Sequence, residues 1–374
     1  MSMETAEFLN GGNILVGDGV RPWWLNESLI SAMLASGQMT RSPLYDGPVP
    51  LDDARELFAE IIRGFEVAAL REIATGETPV LFLADGTPYP YRPFVIEGKQ
   101  AVGPAERDAI FGVFSDGYDT DNHQFADVLL DATAAIIGQD VHLQTAGRLR
   151  DGAQAFVSVG VPEVFKTPEG VEFAPRLIAG SSFDGKIATH WGRVFQLAVC
   201  DNTRDIALAQ AQKSGQFVKV KHTKHSALGI ANAREALGLI ETGAEQFADE
   251  IATLCNLPVS SQEWENILNE LVPYPTDSDG KVTEKGRGFT MAASKRDALQ
   301  NLLQGDERVT PWQGTAFGVL QAFNTWNAHD SIVRGNVHRA ERQFENVLTG
   351  KTFQQDRDVL AAIAKVTDRE LVLA

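Results

Sequence analysis

AFVSVGVPEVFKTPEGVEFAPRLIAGSSFDGKIATHWGRVFQLAVC, residues 155–200, decides the fold. Its β-branched and aromatic runs recur about every ten residues. They are parted by the turn formers Thr167-Pro168-Glu169-Gly170 and Asp184-Gly185-Lys186. Short connections of this kind join antiparallel neighbours, so residues 153–199 predict an antiparallel β-meander. A further strand is expected over residues 217–222, where FVKVKH carries Phe217, Val218 and Val220 as its apolar positions.

Upstream, Ala54, Leu57, Phe58, Ile61, Ile62, Phe65 and Ala69 fall on one stripe at helical spacing, which predicts a helix from residue 51 to near Gly76. Two short strands are expected over residues 80–83 and 92–96, joined by DGTPYP. A second amphipathic helix should start at the N-cap Asn122 and run to Gly138. Residues 1–50, rich in glycine and proline, suggest an extended N-terminal arm holding one short helix over 25–35.

Beyond Ser226 the pattern is helical, over 227–255, 261–271, 294–304 and from 310 onward, where Thr310 caps and Pro311 takes the first position. The polar, aperiodic TDSDGKVTEKGRG, residues 276–288, is expected to be a mobile loop. The class is therefore α+β: an antiparallel β-meander packed with helices, then a helical C-terminal region. Divisions fall at 1–50, 51–225 and 226–374, with no linker clean enough to exclude one continuous domain.

Composition bounds the function. At 374 residues, 44% hydrophobic and 22% charged, the chain buries enough surface to fold without metal or disulfide. Its two cysteines, Cys200 and Cys255, have no short-spaced partner, which fits a reducing compartment. No basic start with an apolar run precedes the first elements, and no apolar stretch is long enough to span a bilayer. A cytoplasmic protein without membrane association is expected. A net charge of −17 argues against a wholly basic nucleic-acid surface, so any contact with DNA must be local.

Common catalytic signatures are missing: no phosphate-binding loop, no dinucleotide fingerprint, no nucleophile elbow and no paired Cys-x-x-Cys occurs. His190, His222 and His225 lack a nearby cysteine or carboxylate that would complete a zinc site. Asp116, Asp119, Asp121 and His123 lack the glycine and closing glutamate of a calcium loop. Neither set is read as metal-binding, and no cofactor is expected.

One window stands out. Residues 206–234 hold no aspartate or glutamate, where the overall frequency would give about four. Lys213, Lys219, Lys221, Lys224 and Arg234 fall inside it, and Arg204 lies just before it. Lys219 and Lys221, two apart on a strand, share a face that His222, Lys224 and His225 extend into the turn. Two readings fit: an edge strand guarded by lysines against aggregation, or a ladder along a phosphate backbone. Trp191 and Phe217 are the candidate base-stacking aromatics, with core packing as the alternative. A weaker basic patch, Arg334, His338, Arg339 and Arg342, is diluted by Glu341 and Glu345 and reads as a salt-bridged helix surface. Lys285 and Arg287 add charge to the 276–288 loop.

Four strings resemble a known pattern: HLQTAGRLRDGAQAFVSVGVPE, SSFDGKIATHWGRVFQLAVCDNT, FVKVKHTKHSALGIANAREAL and GTAFGVLQAFNTWNAHD. Their order and spacing are similar to those of the phage- and plasmid-encoded family catalogued as domain of unknown function 932. The most specific pieces are Ala146-Gly147, Arg150-Asp151-Gly152, Cys200-Asp201-Asn202-Thr203 and Lys221-His222-Thr223. The resemblance implies a mobile-element protein. A sheet flanked by helices is compatible with single-strand-annealing recombinases.

The leading expectation is a phage or plasmid DNA-binding protein of recombination or replication. It would hold single-stranded DNA on Arg204, Lys213, Lys219, Lys221, His222, Lys224 and His225, act without a nucleotide cofactor, and assemble as a homo-oligomeric ring or filament. The alternatives are an acidic host-takeover or anti-defence protein that binds a host protein, and an enzyme of unfamiliar type using His222 or His225.

Overall fold

The computed structural model describes residues 14–17, 27–39, 42–63, 65–69, 99–104, 111–115, 142–160, 164–186, 189–197, 203–204, 218–220, 244–333, 339–369 and 371. Among them the chain is α+β, an antiparallel sheet followed by helices. The principal sheet is built from β1 (Ile14–Val16), β5 (His142–Leu149), β6 (Gln154–Gly160), β7 (Phe165–Lys166), β8 (Glu172–Ser182), β9 (Thr189–Leu197), β10 (Thr203–Arg204) and β11 (Val218–Val220). A smaller sheet joins β2 (Phe65–Ala69), β3 (Lys99–Pro104) and β4 (Gly112–Ser115) in that order.

In the principal sheet the order is β1-β5-β6-β8-β9, with β10 and β11 both on the outer side of β9 and β7 paired to the start of β8. The expected meander is present as β6, β8 and β9. The Thr167–Gly170 turn closes β7 onto β8, Gly170 N–H donating to Thr167 O at 2.9 Å. Both faces of β6 and β8 are buried, which explains their near-continuous apolar runs in place of a polar–apolar alternation.

The sheet gains two strands from segments without a β signature. HLQTAGRL forms β5 although it reads as polar; its Gln144 and Thr145 are buried. Ile14, Leu15 and Val16 pair with Gly147, Ala146 and Thr145, so part of the first fifty residues completes the sheet of its own chain. Helix α1 (Glu27–Ala35) buries Ile30 and Met33, close to where a short helix is expected.

The expected helix from residue 51 is shorter than its apolar stripe. Helix α2 (Leu51–Arg63) ends before Gly64, and Phe65–Ala69 pairs with Pro104–Gln100 as β2. Phe65 and Ala69 fit a helical stripe and a strand alternation equally, and strand pairing wins. Expected elements over 80–83, 92–96, 122–138 and 227–243 lie outside the described residues.

The helical region comprises α3 (residues 244–256), α4 (Ser261–Leu271), α5 (Arg287–Gly305), α6 (Ala316–Thr325), α7 (Arg339–Leu348) and α8 (Lys351–Thr367). Ser260 and Glu263 form a reciprocal capping box that fixes the start of α4. Helix α6 is capped by Thr315, whose hydroxyl accepts from Gly318 N–H; Thr310 and Pro311 instead belong to a separate 3-10 turn, Thr310–Trp312. The expected start at Thr310 is corrected accordingly: the chain turns at Gln313 and Gly314 before helix resumes. A π-helical turn, Trp326–Asp330, follows α6. The loop expected over 276–288 is an exposed turn up to Gly286, in which Asp277 Oδ1 accepts from Asp279 N–H and Lys281 N–H, both at 2.9 Å; Arg287 and Gly288 already belong to α5.

One hydrophobic core links the two halves. Phe173 of β8 meets Phe247 of α3 edge-on at 4.8 Å, and the cluster continues through Ile251, Leu254, Ile267, Leu299, Phe317, Leu320 and Ile363. Trp312 Nε1 donates to Glu169 O in the β7–β8 turn. Helices α7 and α8 lie against β8 and β10. Among the described residues no helix is long and apolar enough to cross a membrane.

Candidate functional site

The basic window meets the sheet at β11, which pairs only with β9 among the described strands. Lys219 stands opposite His190, Val218 opposite Trp191 and Val220 opposite Thr189. Arg204 stands opposite Phe195. His190 and Phe195 are five apart on a strand without a register break, so Lys219 and Arg204 occupy positions on opposite faces of the sheet. By the same parity Trp191, opposite Val218, falls on the face away from Lys219 and shares the face of Arg204, which lies on a strand flanked by α8. Lys213, Phe217, Lys221, His222, Lys224 and His225 lie outside the described residues. No group of three or more potential metal ligands occurs among the described residues.

Because β11 is antiparallel to β9, its last residue Val220 lies at the end of the sheet where β9 begins. That end also holds the β5–β6 turn and the β8–β9 turn, since Gln154 pairs with Ser182 and Phe183 N–H donates to Ala153 O at 2.7 Å. Both turns carry charge. In Arg150-Asp151-Gly152, Arg150 adopts φ +50, a left-handed conformation that costs a non-glycine residue about 1–2 kcal/mol.

The arginine is held there by Glu345 of α7. Its Nε and Nη2 donate to Oε1 at 3.1 and 2.7 Å, and Nη2 also donates to Oε2 at 2.7 Å. Arg342 Nη1 donates to the same Oε2 at 2.7 Å. Lys186 Nζ lies 3.9 Å from both Glu345 Oε1 and Asp184 Oδ2. Asp184 in turn accepts from Gln154 Nε2 at 2.7 Å, and its Oδ1 accepts Lys186 N–H at 3.0 Å.

The cluster is layered. Its carboxylates are inside, with Glu345 and Asp184 side chains only 8% and 5% exposed, whereas Arg150, Arg342 and Lys186 are 23%, 31% and 50% exposed. The more exposed cations thus lie over two largely buried carboxylates, and Asp151 is a third acidic residue in the sequence of these turns. Sequence reading placed Arg342 in a salt-bridged helix surface, and the Arg342–Glu345 pair is one. It did not bring Arg150, Asp184 or Lys186 to it. The available signal was that both Arg150-Asp151-Gly152 and Asp184-Gly185-Lys186 are charged hairpin turns between adjacent strands.

A concavity of about 510 Å³ opens between α4, α5 and the Gln313–Gly314 turn. Trp264, Leu268 and Val319 line it alongside Gln300, which accepts from Trp264 Nε1 at 2.6 Å. Buried Arg296 forms part of the wall, donating to Asn269 Oδ1, Val272 O and Glu265 Oε2 and lying 4.6 Å from the Tyr274 ring. Its hydrogen-bonding suggests a structural tie.

These features define an α+β protein with a doubly covered antiparallel sheet, one end of which presents a layered cation cluster. The model of the domain of unknown function 932 matches residues 110–348, nearly two thirds of the chain, and the chain belongs to that family. The matched region ends with the last residue of α7, so it includes both sides of the Arg150–Glu345 pair. No curated protein and no solved structure matches the chain.

Proposed function

We propose that the protein binds single-stranded nucleic acid, through the β9–β11 edge of its principal sheet, in recombination or replication of a mobile element within a bacterial cytoplasm. The observation that carries this reading is the position of Lys219. It lies on a terminal strand among those described, and the acid-free stretch 206–234 surrounds it in sequence. Phosphate binding draws on local positive charge, and the large total negative charge confines it to such a stretch. Trp191, opposite Val218, lies on the other face of the sheet from Lys219, so it would stack only a base carried around the β11 edge. No nucleotide cofactor enters this reading, and self-assembly would multiply weak contacts.

The test is retention of a labelled single-stranded oligonucleotide at two salt concentrations, with a sizing column to read assembly. Lys219→Glu combined with Lys221→Glu should abolish retention; unchanged retention overturns the reading. A chain that binds no oligonucleotide at low salt but holds a stable protein partner would favour the acidic partner-binding alternative, which the −17 charge supports.

A further inference from the structure

We propose that the concavity between α4, α5 and the Gln313–Gly314 turn binds an extended peptide segment, about three residues long, that carries a lysine or arginine. The proposal goes beyond the nucleic-acid reading and is independent of it, because the cleft lies wholly within the helical region. A basic, extended segment of a protein partner supplies such a ligand.

Three glutamines and one aspartate give the cleft its polar lining. Asp297, Gln300 and Gln304 follow one another at i, i+3 and i+7 along α5, so they share a helix face. Gln313 lines the cleft from the turn before α6. Gln300 Oε1 accepts from Trp264 Nε1, which fixes the amide and leaves its Nε2 donors over. Among the described residues, the side chains of Asp297, Gln304 and Gln313 make no hydrogen bond or ion pair, and all three residues are exposed. Buried Leu268, Leu303 and Val319 supply an apolar floor.

This lining selects a class of ligand. Each residue of an extended peptide offers one N–H and one C=O, and a glutamine amide answers both. From Asp297 to Gln304 the helix rises about 10 Å, close to the length of three extended residues. An apolar side chain suits the floor, and charge decides the rest. Arg296 is engaged by Glu265, Asn269 and the Val272 carbonyl, so Asp297 is the uncompensated charge of the cleft. A phosphate-bearing ligand is repelled there, whereas an ammonium or guanidinium is attracted. Nucleobase stacking is disfavoured too. Trp264 is buried and edge-on to Phe323, and Tyr274 is engaged by the Arg296 guanidinium and by the Phe289 ring at 5.0 Å.

In the experiment the full chain is titrated with the capped tripeptide acetyl-Lys-Leu-Lys-amide, while the Trp264 indole N–H and the glutamine side-chain amides are followed by NMR. Acetyl-Glu-Leu-Glu-amide and adenosine are the comparison probes, one of opposite charge and one of nucleobase chemistry. The lysine peptide should shift these resonances saturably, and the other two should not. Asp297→Asn should weaken the lysine peptide about tenfold through loss of one charge-assisted contact, and Gln304→Ala combined with Gln313→Ala should weaken it by a similar factor. These side chains are exposed and unbonded within the described structure, so the variants should keep the fold, which their unfolding midpoints check. Absence of a saturable shift with the lysine peptide overturns the proposal. Equal binding of the acidic peptide or of adenosine also overturns it, as does an unchanged affinity in either variant. None of these outcomes bears on oligonucleotide retention by Lys219 and Lys221, so the two readings fail separately.

Discussion

Arg150 and Glu345, 195 residues apart, are joined by two guanidinium nitrogens across both carboxylate oxygens, and the arginine pays for this contact with a left-handed backbone. The pair ties the β5–β6 turn to α7. It is therefore a point at which the sheet and the helical region hold one another in register.

Glu345→Ala should lower stability by about 3 kcal/mol, because it leaves Arg150, Arg342 and Lys186 facing one another without their shared, largely buried counter-ion. Arg150→Ala and Arg150→Gly both delete the pair but differ in backbone. Glycine takes φ +50 without a Cβ penalty, so its variant should be more stable than the alanine variant by about 1 kcal/mol. Denaturant titration of the three variants checks both statements. Equal stability of Arg150→Ala and Arg150→Gly would remove the strain argument.

The sequence displayed the meander and hid the strands beside it, for a physical reason. β8 and β9 carry apolar residues in long runs, and hairpin turns divide them. β5 instead buries Gln144 and Thr145, polar groups that no apolar alternation announces. The start of α4 was legible because Ser260 and Glu263 form a capping box. The start of α5 was not: Gly286 caps it at φ +94 without a side-chain bond, and helix begins seven residues earlier than residue 294. At the site, residues on one strand were legible as a local run. The Arg150–Lys186–Arg342 grouping joins three elements, and no local pattern encodes it.

Arg296 and Glu265 form an asymmetric pair and should respond unequally. Arg296 is 9% exposed and also satisfies Asn269 Oδ1 and the carbonyl of Val272 at the end of α4; Glu265 is 55% exposed. Arg296→Ala removes the donor to the buried Val272 carbonyl and the guanidinium over Tyr274, for a loss of about 3 kcal/mol. Glu265→Ala removes a solvent-facing carboxylate and should cost under about 1 kcal/mol. Thermal unfolding of the two variants gives the comparison. A larger loss for Glu265→Ala would show that Arg296 depends on that one carboxylate.

Gly318 permits a close approach that no side chain tolerates. A Cβ there would collide with the backbone oxygen of Trp312, in the turn preceding α6. Backbone on both sides must move to admit it, and the adjoining Phe317 and Val319 are fully packed. Gly318→Ala should therefore cost about 3 kcal/mol despite alanine's better helix propensity. Near-native stability of that variant by denaturant titration would mean that the Thr310–Trp312 turn shifts freely against α6.

The end of α5 supplies a pH dependence. Asp306 accepts from Arg308 Nε at 2.8 Å, Nη2 at 2.6 Å and the Arg308 backbone N–H at 2.9 Å. The side-chain hydrogen bonds from Arg308 hold its carboxyl below the usual carboxylate range, outweighing the opposing effect of burial. A depressed folded-state pKa means that the unfolded chain binds the proton more readily. The stabilisation from this carboxylate is then complete above about pH 4, the ordinary aspartate value, and is lost as pH falls through the lower folded value. Asp306→Asn should reduce stability at neutral pH, and its deficit relative to the parent should shrink on acidification through that window. Paired denaturant titrations between neutral pH and the acid limit of folding measure the difference. A deficit that stays constant across the window would assign the effect of the substitution to lost geometry around Arg308 and not to the ionised carboxylate.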